Sequence, residues 1–127
     1  MLLSAHSGLR YVILLTAALT LGYAIYGLAT GRPYDKRMRI FAAAFVGAID
    51  LAILFGVALL FTGRFSPQVG GHVGMMALAA TVAHVVSAVT KRRPPEERTY
   101  APHVVGTLVV IALVVAGVLA IGRPIVG

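Results

Sequence analysis

An all-α integral membrane protein, built as an up-down-up-down four-helix bundle, is what the sequence predicts. Three observations predict it. Of 127 residues, 59% are hydrophobic and only 12% are charged, against about 45–50% and about 25% in a soluble domain. Four apolar stretches each approach the ~20 residues that a helix needs to cross the hydrocarbon core. Short segments rich in glycine, proline and arginine separate them, so consecutive helices must run antiparallel. At this length a single domain spans residues 1–127.

The first span is predicted over 9–30 and ends at Gly31-Arg32-Pro33. No basic stretch precedes it and its apolar run is too long for a signal peptide, so it reads as a membrane helix. The second, over 40–62, closes at Gly63-Arg64-Phe65-Ser66-Pro67. The third, over 73–90, stops at Lys91-Arg92-Arg93-Pro94-Pro95, and the fourth runs over 104–121. Glycine and proline end helices, and arginine prefers the headgroups. Small residues (Ala42, Ala43, Ala44, Gly47 and Gly56 in span two, Gly71 and Gly74 in span three) are expected where helices approach closely or where a flat cofactor fits.

Lysine and arginine total 11 against four acidic residues, a net charge of +7. On a soluble protein that excess would suggest nucleic acid. Here the bases cluster between apolar runs, where the positive-inside rule accounts for them, and no nucleic-acid partner is expected. Loop one carries Arg32, Lys36, Arg37 and Arg39, loop three carries Lys91, Arg92, Arg93 and Arg98, and loop two has Arg64 alone. Loops one and three are therefore expected in the cytoplasm, with both termini outside. Arginine outnumbers lysine, and alanine and valine are abundant, which suggests a GC-rich bacterium and hence its inner membrane. The absence of cysteine excludes disulfides, thiolate metal sites and a cysteine nucleophile. Without tryptophan, Tyr11, Tyr23, Tyr26, Tyr34 and Tyr100 must supply the interfacial aromatics. No phosphate-binding glycine loop, nucleophile elbow or H-E-x-x-H pair occurs, and Ser4, Ser7, Ser66 and Ser87 lack a matching base and carboxylate.

Ionisable residues within spans are costly and mark ion paths, cofactor ligands or buried partners. All four histidines lie in or beside a span: His6 in the first, His72 and His84 in the third, His103 at the start of the fourth. His6 and His72 occupy the same end of helices one and three, which lie diagonally across such a bundle. They are placed to be axial ligands of a b-type haem. Arg10, one turn from His6, would meet a haem propionate or a quinone headgroup, while Gly8 and Gly74 would leave room beside the ring. The alternative makes both histidines ordinary interfacial residues, with Arg10 snorkelling outward. Met75 and Met76 beside His72 would suit copper, or simply fill the core. Asp50 and His84 are equally far from Pro67, so they should share one depth near the midplane, paired inside the bundle as a helix lock, a proton relay or a metal-site pair. His84 lies about 18 Å beyond His72 on a different face; with His103 it is a possible second site.

The opening His6-Ser7-Gly8-Leu9-Arg10-Tyr11 resembles the H-S-G-L-R-aromatic start of small four-helix bacterial membrane proteins of the cytochrome b-like type. Asp50-Leu51-Ala52-Ile53-Leu54-Phe55-Gly56 and His72-Val73-Gly74-Met75-Met76 are similar to that family's second and third spans. Asp50 stands where the family more often has glutamine, and Gly71 where it has glutamate. The resemblance implies an electron-transfer protein, or an accessory subunit rather than a stand-alone enzyme, that holds haem b through His6 and His72. Quinone or a larger respiratory complex would be its membrane partner. A non-redox subunit of a larger complex or homo-oligomer, and a small proton- or metal-handling transporter, are the alternatives.

Overall fold

The computed structural model describes residues 2–63, 67–120 and 122, and the side chains of all of these except residues 2–4, 68, 95 and 120. Arg64, Phe65 and Ser66 of the second connection, Ile121 of the fourth predicted span and the side chain of Ser4 lie outside the described residues. Among the described residues there are four α-helices, one 3₁₀ turn and no strand: α1 (Leu2–Thr30), α2 (Lys36–Leu60), α3 (Pro67–Arg92), the turn Pro95–Glu97, and α4 (Ala101–Ala120). All four helices are long and apolar enough to cross a membrane.

The helices begin before the predicted spans, and α2 ends at Leu60, short of the predicted 62. α1 begins at Leu2 and α3 at Pro67, well before residues 9 and 73. Hydropathy marks where side chains turn apolar, whereas backbone hydrogen bonding continues through polar flanks. Pro67 is suited to a first helical position because its missing N–H would be unpaired there anyway. Asp35 opens α2 by accepting from the Met38 amide at 3.1 Å. α1 closes with Gly31 at φ 67°, where the Arg32 amide reaches Gly27 O at 3.1 Å and the Gly31 amide reaches Leu28 O at 3.4 Å. That paired closure requires a left-handed residue, which glycine supplies without strain. Arg98 folds back on the end of α3, its guanidinium donating to the carbonyls of Thr90, Arg93 and Lys91 at 3.0, 3.2 and 3.3 Å. Threonines inside the helices satisfy themselves: Thr16, Thr30, Thr81 and Thr90 each donate to the carbonyl four residues back.

Around the bundle the order is α2–α1–α4–α3. The pairs α1–α2 and α3–α4 pack most extensively and α1–α4 joins them, while α2–α3 is the least extensive of these four pairs, although the two are consecutive in the chain. Small core residues permit the close pairs. Ala17, Ala48, Ala52, Ala79 and Ala83 are buried with Ile13, Phe45, Ile49, Val110, Val114 and Val118. The tightest approaches are at Gly27, Gly106 and Gly117, where a Cβ would lie 2.5 Å from the Tyr100 ring, from Val86 and from Met76 respectively. Gly47, Gly71 and Gly74, expected at contacts, instead face open space. The outward surface is apolar too, up to Phe61 at 87% exposure, as lipid-facing helices require.

Candidate cofactor cavity

The loose α2–α3 side opens into a cavity of about 400 Å³, within the 300–1,000 Å³ typical of small-molecule sites. It lies at the end of the bundle that contains the start of α1 and the α2–α3 hairpin. Each helix contributes along one face. His6, Arg10 and Ile13 of α1 follow i, i+4, i+7 spacing, as do His72, Met76 and Ala79 of α3. Ile49, Ala52, Ile53 and Gly56 of α2, with Val114 and Val118 of α4, complete a mostly apolar wall.

His6 and His72 face each other across this space, with ring centroids 6.3 Å apart and ring planes at 88°. His72 is fixed by α4: its Nδ1 lies 2.8 Å from Gly117 O. A carbonyl can only accept, so Nδ1 carries the proton and donates, leaving the lone pair on Nε2. This is the arrangement by which a second shell orients a metal-ligating imidazole. Gly117 also lets α3 come close, since a Cβ there would meet Met76 Cε at 2.5 Å and His72 Nδ1 at 3.5 Å. Gly56 does the same for His6, whose Cε1 would lie 3.1 Å from an added Cβ. The room beside the imidazoles thus comes from Gly56 and Gly117. Gly8 and Gly74, expected in that role, have nothing within 4 Å of a Cβ. Arg10 lines the cavity, its guanidinium over the Tyr11 ring at 4.8 Å and its Nη2 3.0 Å from the Tyr11 hydroxyl.

Asp50 and His84 come together as well, His84 Nε2 lying 2.8 and 3.0 Å from the two carboxylate oxygens. They do so on the outside of the α2–α3 seam rather than inside the bundle, with side chains 49% and 54% exposed. The cause is rotational: Ile49 and Ala83, the preceding residues, take the inward positions. His84 and His103 are not brought into one site. His103 is 4% exposed at the opposite end of the bundle, where its Nε2 lies 2.7 Å from the Tyr34 hydroxyl and the two rings stack at 5.6 Å.

Gly56, expected at a close approach or beside a cofactor, does sit against His6, whereas Gly117 and the pairing of Tyr34 with His103 were not legible in the sequence. Tyr34 belongs to loop one, far along the chain from His103, and a lone glycine in an apolar run says nothing about which neighbour it admits. Around Tyr34, Tyr100 donates to Pro33 O at 2.7 Å and closes an aromatic layer with Tyr23 and Phe41. Burial holds the Tyr34 hydroxyl above the ordinary tyrosine range. Among the described residues no group of three or more His, Cys, Asp or Glu side chains gathers around one point, so any ion here depends on two imidazoles plus other donors. No family model, curated protein or solved structure matches the chain.

Proposed function

We propose that this is a small membrane cytochrome that holds one haem b between His6 and His72 and passes electrons within the bilayer. The observation that carries the reading is the facing imidazole pair inside an apolar cavity. His6 and His72, with ring centres 6.3 Å apart, are the residues that would hold the iron. The Nδ1–H of His72 is already used by Gly117, which leaves Nε2 for iron. Arg10, on the same face one turn along, would balance a propionate carboxylate. Haem, when bound, supplies one-electron chemistry, and the chain sets its potential through the two ligands, the apolar wall and the Arg10 charge. Quinone or a larger respiratory complex is the proposed electron partner. By the positive-inside rule the protein sits in a bacterial inner membrane with both termini outside and loops one and three in the cytoplasm.

A second reading follows from Met76, which lines the same cavity. Two imidazoles and a thioether suit copper, which would make the protein a metal handler. One preparation decides between them. Protein purified from haem-replete cells should show a Soret band and a low-spin reduced-minus-oxidised spectrum, and His6→Ala or His72→Ala should abolish both while the helices persist. His84→Ala and His103→Ala should leave the spectrum in place. Stoichiometric copper with no Soret band establishes the second reading, and neither metal nor haem leaves a non-redox subunit.

A further inference from the structure

Asp50 and His84 share one depth, each equally far from Pro67 at the hairpin, near the middle of α2 and α3. In the isolated chain about half of each side chain faces outward. At that depth the surrounding solvent is hydrocarbon, where ionisable groups are expected to face a bundle interior or a protein partner. Pairing within one chain satisfies one edge of each group and leaves the other edge to lipid.

We propose that this face docks on the same face of a second copy about a two-fold axis along the membrane normal. Asp50 of each chain then meets His84 of the partner subunit. The charges select this occupant. A carboxylate on α2 and an imidazole on α3, side by side at one depth, form a self-complementary pattern: rotation about the normal preserves depth and exchanges left with right, so every carboxylate faces an imidazole. Both copies insert with the same orientation, which leaves the normal as the only two-fold direction open to them. The flanks permit close approach. Gly47 and Leu54 on α2, with Gly74, Ala77, Thr81 and Ala88 on α3, are exposed on the faces that carry the pair. Their spacing of three and four residues makes a continuous seam, and an added Cβ at Gly47 or Gly74 would meet nothing in its own chain. The proposal does not depend on what fills the cavity.

The test uses full-length protein in vesicles of phosphatidylethanolamine and phosphatidylglycerol. The chain has no cysteine, so Thr99→Cys provides a single fluorophore site, and bleaching steps count the copies. Wild type should bleach in two steps. Asp50→Ala or His84→Ala should raise the dissociation constant about tenfold, from two symmetric pairs each contributing what an interhelical hydrogen bond contributes in lipid. The exchange D50H/H84D should restore two-step bleaching, which separates pairing from misfolding. Oxidation of mixed Leu54→Cys and Thr81→Cys proteins should give a disulfide dimer that neither variant gives alone. One-step bleaching of wild type, an unaltered dimer in D50A/H84A, or failure of the helical exchange variant to dimerise would each overturn the proposal.

Discussion

Asp35 accepts from the Tyr23 hydroxyl and from the Met38 amide, and Arg32 Nη2 lies 3.6 Å from the same carboxylate. The Tyr23 hydrogen bond does most to hold its pKa below the usual carboxylate value, with the Met38 amide and Arg32 acting in the same direction. Because the folded value is the lower one, the stabilisation is fully present above the unfolded pKa and is lost as pH falls through the folded value. Asp35→Ala should lower stability at pH 7 by about 1 kcal/mol, the usual cost of an N-cap. Asp35→Asn keeps the cap and should lose only the acid-sensitive part, which thermal unfolding in detergent from pH 7 to pH 3 will resolve. His103 offers a second test. Replacing it with leucine leaves the half-buried Tyr34 hydroxyl without its 2.7 Å partner, at a cost of about 1 kcal/mol, the low end for a stranded polar group. Adding Tyr34→Phe should recover part of that loss in a double-mutant cycle. His103 was visible in the sequence as an unusual residue, but its partner was not, because the chain separates them by two whole helices.

Between helices, Gly106 carries the sharpest expectation. A Cβ there falls 2.5 Å from Val86 Cγ2, and a β-branched side chain cannot swing away as a methionine can. Gly106→Ala should therefore destabilise the bundle by about 1–3 kcal/mol through overpacking. Gly117→Ala, which meets the flexible end of Met76 first, should cost less. Differential scanning of both variants against wild type checks the order. The four helices were legible because apolar length is a one-dimensional property of the sequence. Which glycines sit between helices was not legible, since interior and exterior are both apolar in a lipid-facing bundle and no polar stripe reveals how each helix is rotated. Gly47 and Gly74 looked like contacts for that reason, while Gly27, Gly106 and Gly117 make them.

For the molecule as a whole, orientation is the property most open to test. Cysteines introduced singly at Thr62 and Thr99 should label from opposite sides of intact cells, Thr62 from outside and Thr99 only after permeabilisation. Labelling of both from one side would overturn the four-span bundle, and the opposite pattern would reverse the charge-based topology. Depth was legible for Asp50 and His84 because it is counted along the chain from the hairpin, and the 2.8 Å contact follows from it. Their outward direction was not, because it depends on where Ile49 and Ala83 turn. The candidate cavity shows the same division: His6 and His72 could be matched by depth and Gly56 stood out as a small residue, whereas the place of Gly117 beside His72 required the packed helices.

The uneven packing around the ring also bears on how the protein is made. α1 with α2, and α3 with α4, are neighbours in the chain and also the most extensively packed pairs, while the α2–α3 side contributes least. Each hairpin therefore packs mainly within itself, and the two halves meet chiefly where α1 lies against α4. Separating the halves between α2 and α3 costs the effective concentration that their linkage provides. Two fragments, 1–63 and 67–127, expressed together should reassemble through the α1–α4 contact and co-purify through a tag on either one. A cut within loop one, which carries the Asp35 cap and lies against the Tyr100 ring, should not be tolerated in the same way. The cavity, lined from all four helices, takes form only when the two halves dock.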